Sequence, residues 1–341
     1  MKTITLGSTG LTTVQNAFGA LPMQRISSEA AVELVRAAYD GGMRFFDTAR
    51  AYSDSEEKLG LAFGGDWKDI ILATKTHAKN PEDFWQHLET SLNLLKREYI
   101  DIYQFHCVGQ CYGPGDGTGM YECMLEAKAQ GRIRHIGITT HKIDVAEEAI
   151  ASGLYETLQY PISYLSTDRE LALIEKCKEA NMGLIAMKAL AGGLITNASA
   201  AFAFMAQFDN VLPIWGIQKG SELADWLSFF EKAPVMTDEI RNYISKERTE
   251  LVGEFCRGCG YCMPCPAGIE INNAARMSLM LRRAPSKDWL TEQWQEKMGK
   301  IDTCLSCGQC SRRCPYELDT PQLLKRNLED YHRVLAGEVK V

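Results

Sequence analysis

Up to about residue 232, short β-rich apolar runs alternate with stretches whose apolar positions recur at helical spacing. That alternation predicts parallel strands joined by crossover helices. After an N-terminal hairpin, the strand candidates are Val14–Gly19, Arg44–Asp47, Ile70–Lys75, Ile100–His106, Ile133–Thr139, Thr157–Tyr160, Gly183–Met187 and Val211–Trp215. The helical gaps are punctuated. Asn80-Pro81-Glu82-Asp83 supplies a cap, a first-turn proline and an acidic first turn. Gly41-Gly42, Gly131 and Gly153 stop helices before the next strand, and Ser221-Glu222 opens the helix that ends before Pro234. Eight strand–helix units in about 230 residues predict a closed (β/α)8 TIM barrel, an α/β fold. The alternative, a doubly wound sheet, usually carries G-x-G-x-x-G after its first strand, and that motif does not occur in the chain.

The pattern changes beyond the barrel. Residues 233–255 read as a link, and Ile269–Arg283 and Trp289–Lys300 read as helices. The tail after Pro321 is amphipathic, with Leu323, Leu324, Leu328 and Tyr331 on one side. The predicted organisation is a barrel over residues 1–235 and a small α-helical domain over residues 236–341.

Composition narrows the partners. The net charge is −7 with no long run of one sign, which argues against a nucleic-acid surface. The N-terminus shows no basic-then-apolar signal pattern, and no apolar stretch reaches about 18 residues, so no membrane span is expected. Twelve cysteines then point to a reducing cytoplasm, and to metal binding rather than disulfides.

Eight of those cysteines form two runs. The first reads Cys256-Arg-Gly-Cys259-Gly-Tyr-Cys262-Met-Pro-Cys265-Pro, the second Cys304-Leu-Ser-Cys307-Gly-Gln-Cys310-Ser-Arg-Arg-Cys314-Pro. The second has the C-x2-C-x2-C-x3-C-P spacing of two-cluster ferredoxins, in which the fourth cysteine of a run ligates the other cluster. The expected sets are therefore Cys256, Cys259, Cys262 and Cys314 on one 4Fe–4S cluster, and Cys304, Cys307, Cys310 and Cys265 on the second. Paired C-x2-C also reads as zinc, but the triple repeat and both Cys-Pro endings favour iron–sulfur.

Catalytic groups of a barrel sit at the C-terminal ends of its strands. Those ends carry Asp47, Lys75 and His106, with Tyr52 in the loop after Asp47. A phenol is a poor acid–base group at neutral pH, and a nearby ammonium lowers its pKa. An aspartate can pin that lysine, and a histidine can orient or polarise a carbonyl. The four suit protonation of a carbonyl oxygen while hydride arrives at carbon. Cys107 and Cys111 read as ordinary thiols, Val108–Gly119 as a substrate loop, and Trp215, Trp226, Phe229 and Phe230 as packing.

Here the residues carry a resemblance. Phe45-Phe46-Asp47-Thr48-Ala49-Arg50-Ala51-Tyr52, Ser55-Glu56, Leu59-Gly60, Ala73-Thr74-Lys75 and Asp101-Ile102-Tyr103-Gln104-Phe105-His106 resemble the signatures and Asp-Tyr-Lys-His tetrad of the aldo-keto reductase superfamily. Gly131-Arg132-Ile133-Arg134-His135-Ile136-Gly137-Ile138-Thr139 is similar to a further stretch of that family. Ile185-Ala186-Met187-Lys188 and the run from Cys259 to Pro266 resemble its branch with a C-terminal ferredoxin-like domain. The resemblance implies NADP(H) across the barrel mouth, with NAD(H) as the alternative. By position it assigns Thr139, Thr140 and Gln159 to the nicotinamide amide and Met187 to the nicotinamide ring. It assigns Gly216, Gln218, Lys219 and Ser221 to the adenosine phosphate. Lys188 either reaches into the mouth or snorkels to solvent. Thr140 and Trp226 stand where the family commonly has asparagine.

The expected function is NAD(P)H-dependent reduction of an aldehyde or ketone, reversible as alcohol oxidation. The clusters would link to a redox protein partner or hold structure. Hydride moves two electrons together and iron–sulfur centres move one, and the chain has no recognisable flavin motif between them. The alternative is an electron-transfer or redox-sensing subunit whose barrel binds nucleotide and turns over little.

Overall fold

The computed structural model of the chain describes residues 1–66, 69–251, 255–283 and 286–341. Strands β1 (Thr3–Thr5) and β2 (Thr12–Val14) pair antiparallel as a hairpin, Thr3 opposite Val14. Eight parallel strands follow: β3 (Ala17–Gly19), β4 (Phe45–Asp47), β5 (Ile71–Thr76), β6 (Ile100–Phe105), β7 (Ile133–Thr139), β8 (Thr157–Pro161), β9 (Gly183–Met187) and β10 (Val211–Gly216). They pair in sequence order and close where β10 meets β3, forming the expected barrel.

The first barrel strand is shorter than the sequence predicts. Val14 belongs to the hairpin, and Gln15 and Asn16 separate it from β3. Both side chains are buried and bind distant backbone. Gln15 Nε2 donates to the carbonyls of Phe208 and Val211 at 2.7 and 2.8 Å, and Asn16 Nδ2 to that of Trp226 at 2.8 Å.

The hairpin lies at the N-terminal end of the barrel, where Gly7 bridges to Met182, the residue before β9. Gly7 has φ +51°, and a β-carbon there would stand 2.5 Å from Asn181 O, so this approach requires glycine. Ile4 and Leu6 join one apolar cluster with Phe45, Ala73, Ile102, Ile185 and Leu212 and fill that end.

The outer helices start and stop for local reasons. Asn80 Oδ1 accepts from Asp83 N at 2.9 Å and begins Pro81–Leu95. Thr167 and Glu170 form a capping box on Asp168–Glu179. Gly153, at φ +65°, ends Ile143–Ser152.

The chain divides into two compact units. One comprises Met1–Ala189 with Ala198–Tyr243, the other Leu190–Asn197 with Ile244–Val341. The expected link 233–255 contains a helix, Asp238–Glu250, with Thr237 Oγ1 accepting from Ile240 N at 3.2 Å; residues 252–254 of that link lie outside the described residues. The single helix expected over Ile269–Arg283 is two, Ile271–Ala274 and Met277–Arg283. At the break, Ala275 O accepts from Asn327 Nδ2 at 3.2 Å. The helix expected from Trp289 begins instead at Glu292, where Thr291 caps it. The final helix, Thr320–Leu335, buries Leu323, Leu324, Leu328 and Tyr331, together with Asn327. Among the described residues, no helix is long and apolar enough to cross a membrane.

Candidate active site and cysteine cavities

Asp47 ends β4, Lys75 is the penultimate residue of β5, and His106 follows β6, its N–H donating to Thr76 O at 2.8 Å. Tyr52 lies in the turn between β4 and the helix Ser55–Phe63, its N–H donating to Ala49 O at 2.9 Å. The polar residues of this stretch hold the turn. Buried Glu56 accepts from Thr74 Oγ1 at 2.7 Å and pairs with Arg50, and Thr48 Oγ1 meets Ser55 Oγ at 2.9 Å.

Lys75 Nζ donates to Asp47 Oδ1 and to Thr48 O, both at 2.6 Å, in a site where lysine and aspartate are 1% and 2% exposed. The same ammonium lies 5.2 Å from the centre of the Tyr52 ring. The Tyr52 and His106 rings meet edge-on, 5.5 Å apart at 78°. All four side chains are thus gathered at one end of the barrel. Asp47 Oδ2 is buried without a hydrogen-bond partner among the described residues.

Desolvation sets the protonation states. It raises the Tyr52 phenol well above its ordinary pKa, and the charges of Asp47 and Cys107 add to that. The phenol therefore stands above its ordinary value, not below it as the sequence led us to expect, although the Lys75 ammonium is near its ring. Desolvation, then Lys75, His77 and His141, hold His106 well below the ordinary histidine value. Burial raises Asp47, and Lys75 opposes it. Burial also pushes the Cys111 thiol up to about 12, which leaves it a poor nucleophile.

The expected nucleotide residues differ in what they face. Thr139 and Thr140 are fully buried and hold the backbone after His106. Thr139 Oγ1 accepts from Cys107 N at 2.7 Å, and Thr140 Oγ1 donates to Val108 O at 2.9 Å. Gln159 Nε2 donates to Asp47 Oδ1 at 3.4 Å, and its Oε1 accepts from Gln104 Nε2 at 2.9 Å. Gln104 is fully buried; its place as a polar residue inside an apolar strand was the available signal. Met187 ends β9, and Lys188 follows in the left-handed region at φ +57°. Gly216 ends β10; Lys219 and Ser221 are exposed. The N–H groups of Gln218 and Lys219 donate to Glu222 Oε2 at 2.9 and 3.1 Å. An exposed lysine and serine suit a phosphate, while Glu222 takes the two backbone donors beside them. Trp226 is buried and stacks on Trp215 at 3.9 Å and 8°, as packing.

In the second unit, none of the cysteines is in a disulfide, and they line two cavities. One is lined by Cys256, Cys259, Cys262 and Cys314 together with apolar side chains. The other is lined by Cys265, Cys304, Cys307 and Cys310, with Cys262 also at its wall. Each cavity therefore takes its fourth cysteine from the other run. Burial pushes Cys262 up to about 12, and Cys256 and Cys259 add to it. Among the described residues, no three Cys, His, Asp or Glu side chains converge as a single ion requires. The spacing of the thiols in the two runs suits a multi-atom cluster better than one zinc ion. Gly258 N–H donates to Cys256 Sγ at 3.4 Å, the kind of bond that tunes such a group.

Comparison with known proteins agrees with both units. A family model described as the Aldo/keto reductase family matches residues 3–241, and one described as a 4Fe-4S dicluster domain matches residues 255–319. Aldo-keto reductase YhdN of Bacillus subtilis is 30% identical over 195 residues, which cover 53% of this chain and 58% of that protein. L-galactose dehydrogenase of Arabidopsis thaliana is 30% identical over 212 residues, covering 56% of this chain and 66% of that one. The chain thus spans under two thirds of the length of these relatives. An aldo-keto reductase of Bacillus halodurans, in its holo form, superposes with TM-score 0.65 at 22% identity over 74% of this chain and 98% of that one. One from Klebsiella pneumoniae in complex with NADPH gives TM-score 0.62 at 21% identity over 72% and 94%. At such identities the structural likeness concerns the fold.

Proposed function

The chain belongs to the aldo/keto reductase family, and from that premise we propose that its barrel reduces an aldehyde or ketone with NADP(H) and runs the same step backwards as alcohol oxidation. The observation that carries this reading is the Lys75–Asp47 pair, at 2.6 Å, beside the facing rings of Tyr52 and His106. When bound, the nucleotide supplies hydride to the carbonyl carbon. Tyr52 gives its phenolic proton to the carbonyl oxygen, so the alcohol gains one hydride and one proton. Lys75 stabilises the phenolate left behind, and Asp47 holds Lys75 in place. His106, held neutral, can donate a hydrogen bond that orients the carbonyl. Lys219 and Ser221 are the residues suited to a nucleotide phosphate; Met187 and Gly216 end β9 and β10, and Lys188 follows Met187. Thr139, Thr140 and Gln159 act through the segment after His106 and through Asp47.

In the second unit, Cys256, Cys259, Cys262 and Cys314 hold one 4Fe–4S cluster, and Cys304, Cys307, Cys310 and Cys265 the other. The two units act as a reductase domain and an electron-carrying domain that serves a redox protein partner. The small-molecule carbonyl or alcohol is the barrel's substrate, and the cytoplasm suits thiol-held clusters.

The test is reduction of a carbonyl panel by anaerobically prepared protein, with nucleotide titration. Tyr52→Phe keeps the ring and should lower kcat by about 10²–10⁴-fold with nucleotide affinity unchanged. Full activity in that variant would remove the tetrad mechanism. A second reading, an electron-transfer or redox-sensing subunit with a silent barrel, draws on Glu222 occupying the backbone donors of Gln218 and Lys219. Absence of nucleotide binding in the same titration would favour it.

A further inference from the structure

Two arginines of the second unit hold the segment Leu190–Asn197. That segment belongs to this unit although it follows directly in sequence on Met187, Lys188 and Ala189 of the barrel. Arg276 Nη1 donates to Gly192 O at 2.7 Å. Arg283 Nη1 donates to Leu194 O at 3.0 Å, and Glu247 fixes that guanidinium with two contacts at 2.6 and 2.9 Å. The Arg276 guanidinium also lies against the backbone of the first cysteine run. A β-carbon at Gly258, between Cys256 and Cys259, would come within 2.9 Å of its carbon, and one at Gly192 within 2.7 Å of Nη1. Both glycines sit at positive φ, +64° and +69°. One planar cation therefore packs between two backbones that side chains would hold apart.

The held segment needs that support. Lys188 and Ala191 adopt φ +57° and +48°, a conformation disfavoured for residues with a β-carbon, and it persists only where neighbours over-determine it. We propose that Arg276 is a positioning residue that couples filling of the Cys256–Cys259 site to the order of Leu190–Asn197. This rests on the reading of the cysteine cavities as iron–sulfur sites. Bound iron would fix the Cys256–Cys259 backbone at both ends. Arg276 then has a rigid face behind it while it holds Gly192. An empty site leaves that backbone mobile, and the arginine loses one of its two walls.

Hydrogen exchange reads this directly. The amides of Gly193 and Ile195 both donate to Leu190 O, at 2.9 and 3.2 Å, and report on the segment. The full chain is compared with iron and sulfide assayed, first loaded under anaerobic conditions and then stripped by chelator. Stripping should speed exchange at these amides by about tenfold or more, while amides of the helix Pro81–Leu95 stay unchanged. Arg276→Ala with wild-type iron content should show the same acceleration, and Arg276→Lys a smaller one, since a point charge cannot fill both contacts. If Arg276→Ala loses iron, the loaded and stripped wild-type proteins decide alone. Equal exchange in those two, or unaltered exchange in iron-replete Arg276→Ala, overturns the coupling. Anaerobic protein without iron or sulfide would defeat the cluster reading, and the coupling with it.

Discussion

Tyr52 and His106 face one another with opposite titration tendencies. Burial and Asp47 hold the phenol protonated, and burial and Lys75 hold the imidazole uncharged. In the proposed reaction the acid is therefore ready across neutral pH. Reduction should stay flat from about pH 7 to 9 and fall only on the acid side, below the ordinary histidine range near 6.5. A pH–rate profile at saturating nucleotide checks this; an alkaline limb near neutrality would mean that phenolate forms early. The sign for stability follows from the same shift. His106 binds its proton more weakly folded than unfolded, so its contribution is lost as pH drops through about 6.5 toward the lowered value. These four candidates could be picked out because Asp47, Lys75 and His106 stand at strand ends and Tyr52 in the loop after the first, in a recognisable order. The hydrogen bonds of Thr139 and Thr140 to Cys107 and Val108 were not legible, since they depend on how β7 lies beside the segment after β6.

At the scale of elements, Gly60 explains part of a motif that the sequence only displays. It sits in the helix Ser55–Phe63, where a β-carbon would lie 1.9 Å from the backbone oxygen of Leu94, in the helix Pro81–Leu95. Backbone cannot yield as a flexible side chain does. Gly60→Ala should therefore destabilise the chain by about 1–3 kcal/mol, read from its denaturation midpoint, and an exposed glycine such as Gly220 should tolerate alanine. Elements with local caps, such as the one begun by Asn80, could be read from the chain. The helix Asp238–Glu250 could not, because it is largely charged and buries only Ile244 and Glu247. The break between Val14 and Ala17 was also hidden, since Gln15 and Asn16 are held by carbonyls roughly 200 residues away in the chain.

For the whole molecule, the cysteine spacing predicted an exchange of the fourth thiol between runs, and the two cavities are lined in that crossed way. Anaerobic protein should carry about eight irons with matching sulfide, and Cys314→Ser should disturb the centre bounded by Cys256, Cys259 and Cys262 while sparing the other's spectrum. Damage confined to the Cys304 centre would reverse the assignment. Which segment of the barrel chain joins the cysteine-bearing unit was not legible, because Leu190–Asn197 has no composition of its own; two arginines from distant sequence hold it. The hairpin β1–β2 carries a different consequence. Ile4 and Leu6 pack with Phe45, Ala73 and Ile102 and, among the described residues, fill that end of the barrel. In the proposed reaction, substrate and product would therefore share the opening at the opposite end, where Tyr52 stands. Whatever rests across that opening delays arrival and departure alike.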